Sequence, residues 1–353
     1  MKILHVLNTN RFSGAENVAC QIIGILDSTE GIQSVYCSPE GPIRQTLAQK
    51  NIVFAPMAAL NRRELRRVIR EVQPDVLHTH DMRAAWTAFT AHTGLPVISH
   101  IHNNAFDSRR VSFRSIAFLL ASFRLQHIFW VSQSAMCDYA FSRFVRKKSS
   151  VLPNILDVPA LYRTAESDTA SYSYDVVFLG RLDFEKDPEK ALRVFSLVAA
   201  KHPEATFAFI GDGPLMPVLK ELCHRLALEN SVSFLGFQKK PLKMLQDAKC
   251  MLMTSRWEGL PMSALEAMAL GVPLVCTPTD GLNALITEGE TGFLRRNEQE
   301  LAACISTLLD SPQKQLRMSD ACKRQALVIN DMDSYKKTLL LCYRQALKGE
   351  KKQ

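Results

Sequence analysis

Glu258 and Glu266 stand with seven residues between them in an apolar segment running from Arg256 to Pro273. Pro261 suits the first position of a helix, where no amide hydrogen bond is lost, and Gly271 followed by Pro273 ends that helix about three turns later. Glu258 then lies in the loop before the helix. Glu266 lies one turn inside, on the side of the free amides of Met262, Ser263 and Ala264. Those amides and the helix dipole favour a phosphate, and a carboxylate just beyond them accepts hydrogen bonds from two vicinal hydroxyls, as a ribose offers. The spacing therefore suits a nucleoside diphosphate that carries a sugar. An amphipathic helix with two solvated glutamates has the same letters, but Gly-Leu-Pro before the helix and Gly-Val-Pro after it favour the binding site.

Such a helix needs a sheet to hold it. Short apolar runs alternate with helix-length segments along all 353 residues, which predicts α/β domains with parallel sheets. Strands are expected at 2–7, 32–37, 53–55, 76–79, 97–101, 127–131 and 150–152, then at 175–180, 206–210, 232–235, 250–254, 273–276 and 292–294. The length points to two domains, residues 1–172 and 173–333, with 156–174 as the linker. Two doubly wound domains in tandem hold a ligand in a cleft at the carboxyl ends of their strands.

The Glu-x7-Glu segment resembles the motif of retaining glycosyltransferases of family 4, whose GT-B fold is two Rossmann-like domains facing a cleft. Gly180-Arg181 followed by Lys186 resembles that family's segment in which an arginine and a lysine hold the donor diphosphate. The resemblance gives Arg181 and Lys186 the task of offsetting charge on the leaving phosphate, with no metal. Phe209–Pro214 is similar to a turn near the nucleotide, where Gly211 and Gly213 permit close backbone approach. Phe234–Phe237 resembles the strand end that meets the base, which places Phe237 there.

In the first half, Phe12-Ser13-Gly14-Ala15-Glu16 resembles the family's Gly-Gly-Ala-Glu loop, with Ser13 in place of the first glycine. Gly14 can present its N–H to a phosphate or to the acceptor. The same residues also read as a plain helix start, with Ser13 as cap and Glu16 completing a capping box. Ser99–Asn104 ends a strand on which His100 and His102 share a face, and the resemblance sets His102 where it contacts the donor sugar. The expected catalytic residues are thus His102, Arg181, Lys186 and Glu258. The expected donor-binding residues are Gly14, Gly211, Gly213, Phe237, Met262, Ser263, Ala264 and Glu266.

Neither a cofactor nor a metal is expected. His78 and His80 form a bare i, i+2 pair, and Asp331-Met332-Asp333 lies beyond both sheets, where it reads as the start of a helix. The nine cysteines are scattered, with no Cys-x-x-Cys, and read as reduced thiols of a cytoplasmic protein. No stretch reaches the roughly 18 apolar residues of a spanning helix, because Arg114 and Arg124 bracket the longest candidate. Charge is uneven, at +6 over residues 1–172, −3 over 173–333 and +5 over 334–353. Basic clusters at Arg62, Arg63, Arg66, Arg67 and Arg70, at Arg109, Arg110, Arg114 and Arg124, and at Arg146, Lys147 and Lys148 carry no interleaved aromatic motif. They predict contact with an anionic membrane and not with nucleic acid. In the family the last helix commonly returns to the first domain, and Ser334–Leu347 is the segment that would do so.

The resemblance implies transfer of a sugar, from a UDP-sugar before other nucleoside-diphosphate sugars, to a saccharide acceptor with retained configuration. The second domain would hold the nucleotide. The first would select the acceptor, a lipid-linked saccharide of surface polysaccharide or lipopolysaccharide synthesis at the inner face of the cell membrane. A GT-B epimerase, a phosphorylase or a non-catalytic partner subunit would share the fold. The presence of Arg181, Lys186, Glu258 and Glu266 favours the transferase.

Overall fold

In the computed structural model, which describes residues 1–102 and 106–350, the short runs rich in Val, Ile, Leu and Phe pair in parallel into two sheets. The central strands are buried on both faces and are mostly apolar, whereas edge strands such as Phe54–Met57 and Ser149–Val151 are only half-buried. The first sheet contains β1 (Lys2–Val6), β2 (Gln33–Pro39), β3 (Phe54–Met57), β4 (Val76–Thr79), β5 (Val97–Ile101), β6 (Leu125–Trp130) and β7 (Ser149–Val151). Their order is β3-β2-β1-β4-β5-β6-β7. The second contains β8 (Val176–Leu179), β9 (Phe207–Ile210), β10 (Val232–Gly236), β11 (Cys250–Met253), β12 (Leu274–Cys276) and β13 (Gly292–Leu294), in the order β10-β9-β8-β11-β12-β13. Each strand falls within two residues of its predicted place.

Both sheets are doubly wound. The chain runs outward from β1 in one direction and from β4 in the other, and likewise from β8 and β11. Each sheet therefore has one point, between β1 and β4 or between β8 and β11, where the loops leaving neighbouring strands part to opposite faces. Register fixes which side chains meet there: His5 pairs with His78 across β1 and β4, and Cys250 with Val176 across β11 and β8.

Two units result, one of Met1–Ile155 with Asp331–Gln353 and the other of Leu156–Asn330. The expected linker is in fact part of the second unit. Asp157 accepts from the amide of Ala160 at 2.8 Å and starts the helix Val158–Glu166, whose Tyr162 hydroxyl donates to the carbonyl of Ala269 at 2.8 Å. Its polar surface hides the helix in the sequence, since Leu161 and Ala165 are its only buried residues. The helix Met332–Glu350 belongs to the first unit. Tyr335, Leu339, Tyr343 and Ala346 form its buried stripe against β4, β5 and β6, and Asp331 accepts from the amide of Ser334 at its start.

Candidate active site

Lys186 and Glu258 meet at the point where the second sheet reverses. Lys186 ends the loop after β8 and Glu258 lies in the loop after β11, and Lys186 Nζ donates to Glu258 Oε1 at 2.5 Å. Glu258 is 6% exposed and Lys186 17% at their side chains, so the pair is held largely within the protein. Ser255 Oγ donates to the same carboxylate oxygen at 2.6 Å, and Thr277 after β12 donates to the carbonyl of Ser255 at 2.6 Å. Three successive strand ends thus fix one carboxylate.

Around this pair the charges alternate. Arg181 is 63% exposed and bridges Asp183 at 3.1 Å and Glu185 at 3.4 Å. Arg256 bonds Asp187 at 2.9 Å, and its guanidinium lies 4.2 Å from the centre of the Phe184 ring. Burial raises the Glu185 carboxyl above its ordinary range; Lys186 opposes this and Glu258 adds to it. Asp187 has φ +47°, a left-handed conformation that aspartate tolerates better than most residues, and it turns the loop into the helix Pro188–Ala199. An anionic ligand here would meet Arg181 at the surface and Lys186 beneath it.

Three glycines let these loops touch. A Cβ on Gly211 would lie 1.9 Å from the carbonyl oxygen of Gly180, one on Gly213 2.3 Å from that of Leu182, and one on Gly281 1.6 Å from that of Gly259. No side chain fits at any of them. Gly211 and Gly213 were singled out from sequence; Gly281 was not, and its only signal is its place in Thr279-Asp280-Gly281 after a strand. Ser255 and Thr277, which orient Glu258, were also missed, since a lone hydroxyl beside a strand end carries no distinctive pattern.

The helix after Glu258 differs in detail from expectation. It spans Met262–Ala269, about two turns, and Pro261 precedes it in extended conformation as the cap residue. The Ala264 amide donates to the carbonyl of Pro261 at 3.1 Å, so it is not one of the free amides. Proline at the cap pulls the first turn tight, which consumes that donor. Met262 is buried, while Ser263 and Glu266 are half-buried on the outer side of the helix. Phe237, after β10, is 67% exposed.

In the first unit Gly14 opens the helix Gly14–Asp27, and a Cβ built on it would meet open space. The expected capping box does not form. Ser13 and Thr9 both donate to the buried Glu16 carboxylate, at 2.5 and 2.8 Å, so the Ser13 hydroxyl is directed at the carboxylate and caps no amide.

His78 and His80 are not a bare pair. Strand register brings His5, His78, His80, His100 and His102 together on one face of the sheet. His5 Nδ1 lies 3.0 Å from His80 Nε2, His80 Nδ1 lies 2.9 Å from His102 Nε2, and His78 Nδ1 lies 2.7 Å from the Tyr343 hydroxyl. Two sets of three, His5-His78-His80 and His80-His100-His102, have ring nitrogens within 4.8 Å of one another. Burial lowers His5 and His102 to about 3 and holds His78, His80 and His100 well below the ordinary imidazole range, so the column is neutral. The second nitrogen of His102, Nδ1, is buried beside Asn154. Asn103 and Asn104, which follow His102, lie outside the described residues.

Two doubly wound parallel sheets are the architecture of the GT-B fold, and the second carries cations, glycines and a carboxylate at its reversal point. Residues 12–158 match the family described as Glycosyltransferase Family 4, and residues 165–325 that described as Glycosyl transferases group 1. The chain belongs to the family-4 type of GT-B glycosyltransferases. It is 28% identical over 250 residues to a glycosyltransferase of Methanocaldococcus jannaschii, covering 65% of this chain and 62% of that protein, and so spans less than two thirds of it. It is 24% identical over 332 residues to the UDP-Gal:alpha-D-GlcNAc-diphosphoundecaprenol alpha-1,3-galactosyltransferase of Escherichia coli, covering 83% and 84%. The fold is that of HepE from Anabaena in complex with UDP-glucose, with a TM-score of 0.82 at 20% identity, covering 96% of this chain and 98% of that one.

Proposed function

We propose that the protein transfers a sugar from a UDP-sugar to a lipid-linked saccharide, with retention of configuration, in surface polysaccharide or lipopolysaccharide synthesis. The observation that carries this reading is the Lys186–Glu258 pair at the reversal point of the second sheet, with Arg181 above it and glycine-lined loops around it. The UDP-glucose held by HepE and the UDP-galactose and undecaprenol-linked acceptor in the name of the Escherichia coli relative support the choice of donor and acceptor.

In this reading Arg181 and Lys186 hold the diphosphate, and Glu266 accepts from the ribose hydroxyls. The bond from the anomeric carbon to the phosphate oxygen breaks as the acceptor hydroxyl attacks from the same face, and the acceptor's proton passes to the departing phosphate. Lys186 and Arg181 supply the positive charge that the departing phosphate needs, so the reaction requires no metal. Glu258, fixed by Ser255 and Lys186, steadies the charge that develops at the anomeric carbon. The first unit selects the acceptor, and its basic surface meets the anionic inner face of the cell membrane from the cytoplasm.

Incubation with UDP-sugars and EDTA, without acceptor, separates this from its rivals. Slow release of UDP supports the transferase. Epimerised donor would instead indicate an epimerase, a strict need for inorganic phosphate a phosphorylase, and no turnover of any donor a partner subunit.

A further inference from the structure

The helix Phe113–Ser122 carries apolar side chains on its outer as well as its inner face, with Arg114, Ser115 and Ser122 as its polar residues. Ala117, Phe118 and Ala121 turn inward, with Phe118 edge-on to Trp130 at 6.1 Å and to Tyr139 at 5.5 Å. The opposite side carries Phe113 at 84% exposure, Ile116 at 43%, Leu120 at 44% and Phe123 at 70%, with Val111 at 74% just before it. Positions 113, 116, 120 and 123 follow the three-and-four spacing of one helix stripe. Phe144, 71% exposed, stands on the short helix packed beside it. A soluble surface rarely leaves such a contiguous stripe in water without a use.

Basic residues continue this stripe at one end. Arg124 donates to His92 Nδ1 at 2.8 Å and lies over the Phe89 ring at 5.5 Å. His92 in turn lines a groove with Arg62, Arg63, Arg66 and Arg70. Arg67 is not part of it, because Glu64 and Glu71 hold its guanidinium. Among the described residues no helix is long and apolar enough to cross a membrane. A stripe bordered by arginines fits a lipid surface, with the rings below the phosphates and the guanidinium groups on them. A second copy of this chain, docked stripe to stripe about a two-fold axis, would set arginine ridge near arginine ridge, which disfavours it.

We propose that the helix Phe113–Ser122 inserts its outer face into an anionic phospholipid bilayer, with Phe113 and Phe123 as anchors and the groove arginines on lipid phosphate. This rests on the membrane contact in the proposed function and deepens it, from attachment by charge alone to shallow insertion.

The test uses the whole protein and vesicles of phosphatidylcholine with or without phosphatidylglycerol. The wild type should sediment with the anionic vesicles, and the F113S/F123S double variant should bind about tenfold or more weakly, since its charge is unchanged but its apolar anchors are lost. The emission of an F113W reporter should shift to the blue on binding and be quenched by brominated acyl chains. UDP release without acceptor should be unaltered in all three proteins, so that loss of vesicle binding is distinguishable from failure of the donor site. Equal binding by wild type and double variant would overturn the inference. So would an unshifted F113W emission, or conversion of a wild-type dimer to a monomer by the two serines.

Discussion

Lys186 neutralises a buried carboxylate at rest, and in the proposed reaction it also neutralises a phosphate during turnover. The two can be separated. Lys186→Ala should lower kcat by about a hundredfold or more, the usual effect of removing a donor aimed at developing charge. It should also destabilise the protein by about 3–5 kcal/mol, because Glu258 is left buried and unpaired. Adding Glu258→Gln should restore most of the melting temperature and none of the turnover; recovery of both would show the pair to be structural only. Glu266→Ala should weaken UDP-sugar binding about ten- to a hundredfold if its carboxylate bonds the ribose, as calorimetry would show. Gly281→Ala forces a Cβ to within 1.6 Å of the Gly259 carbonyl, so the loop bearing Glu258 must shift. Donor affinity should fall although residue 281 contributes no side-chain contact of its own.

The histidine column shows what an element can hide from sequence. All thirteen strands were legible, because the central ones are buried on both faces and read as mostly apolar runs, and the edge ones lie between turn signals. That His5 meets His78 and His80 was not, because it depends on β1 lying beside β4 in a particular register, 73 residues on. The contact from Tyr343 comes from farther still. The glutamates, the glycines and the basic loop were legible because their chemistry is local; the helix Val158–Glu166 was not, because tertiary packing decides a short helix with a polar surface. The column carries a pH signature. Its folded imidazoles lie below the ordinary value near 6.5, so the unfolded chain binds more protons between the two values, and stability rises with pH there. The stability is full above about pH 6.5 and is lost as pH falls toward about 3, at up to about 1.4 kcal/mol per pH unit for each histidine. Urea unfolding of the wild type and His100→Phe between pH 7.5 and 4.5 should give a shallower slope for the variant. Equal slopes would mean that the column does not set acid stability.

At the scale of the whole molecule, each unit places its chemistry-bearing residues at the reversal point of its own sheet, with a neutral histidine column in one and the Lys186–Glu258 ion pair in the other. The proposed function puts the nucleotide in the second unit, which makes the donor site testable without knowledge of the acceptor. Turnover should persist in EDTA, and restoration of lost activity by Mn²⁺ would contradict the role given to Arg181 and Lys186. The most direct measurement is calorimetric titration of UDP and UDP-glucose, in EDTA, into the wild type and into Arg181→Ala. The arginine is 63% exposed at the surface of the cradle, so its loss should leave the fold intact. Binding to the wild type, weakened about tenfold or more in the variant, is the predicted result. Equal affinity in the two proteins, or binding that appears only when a divalent metal is added, would contradict it.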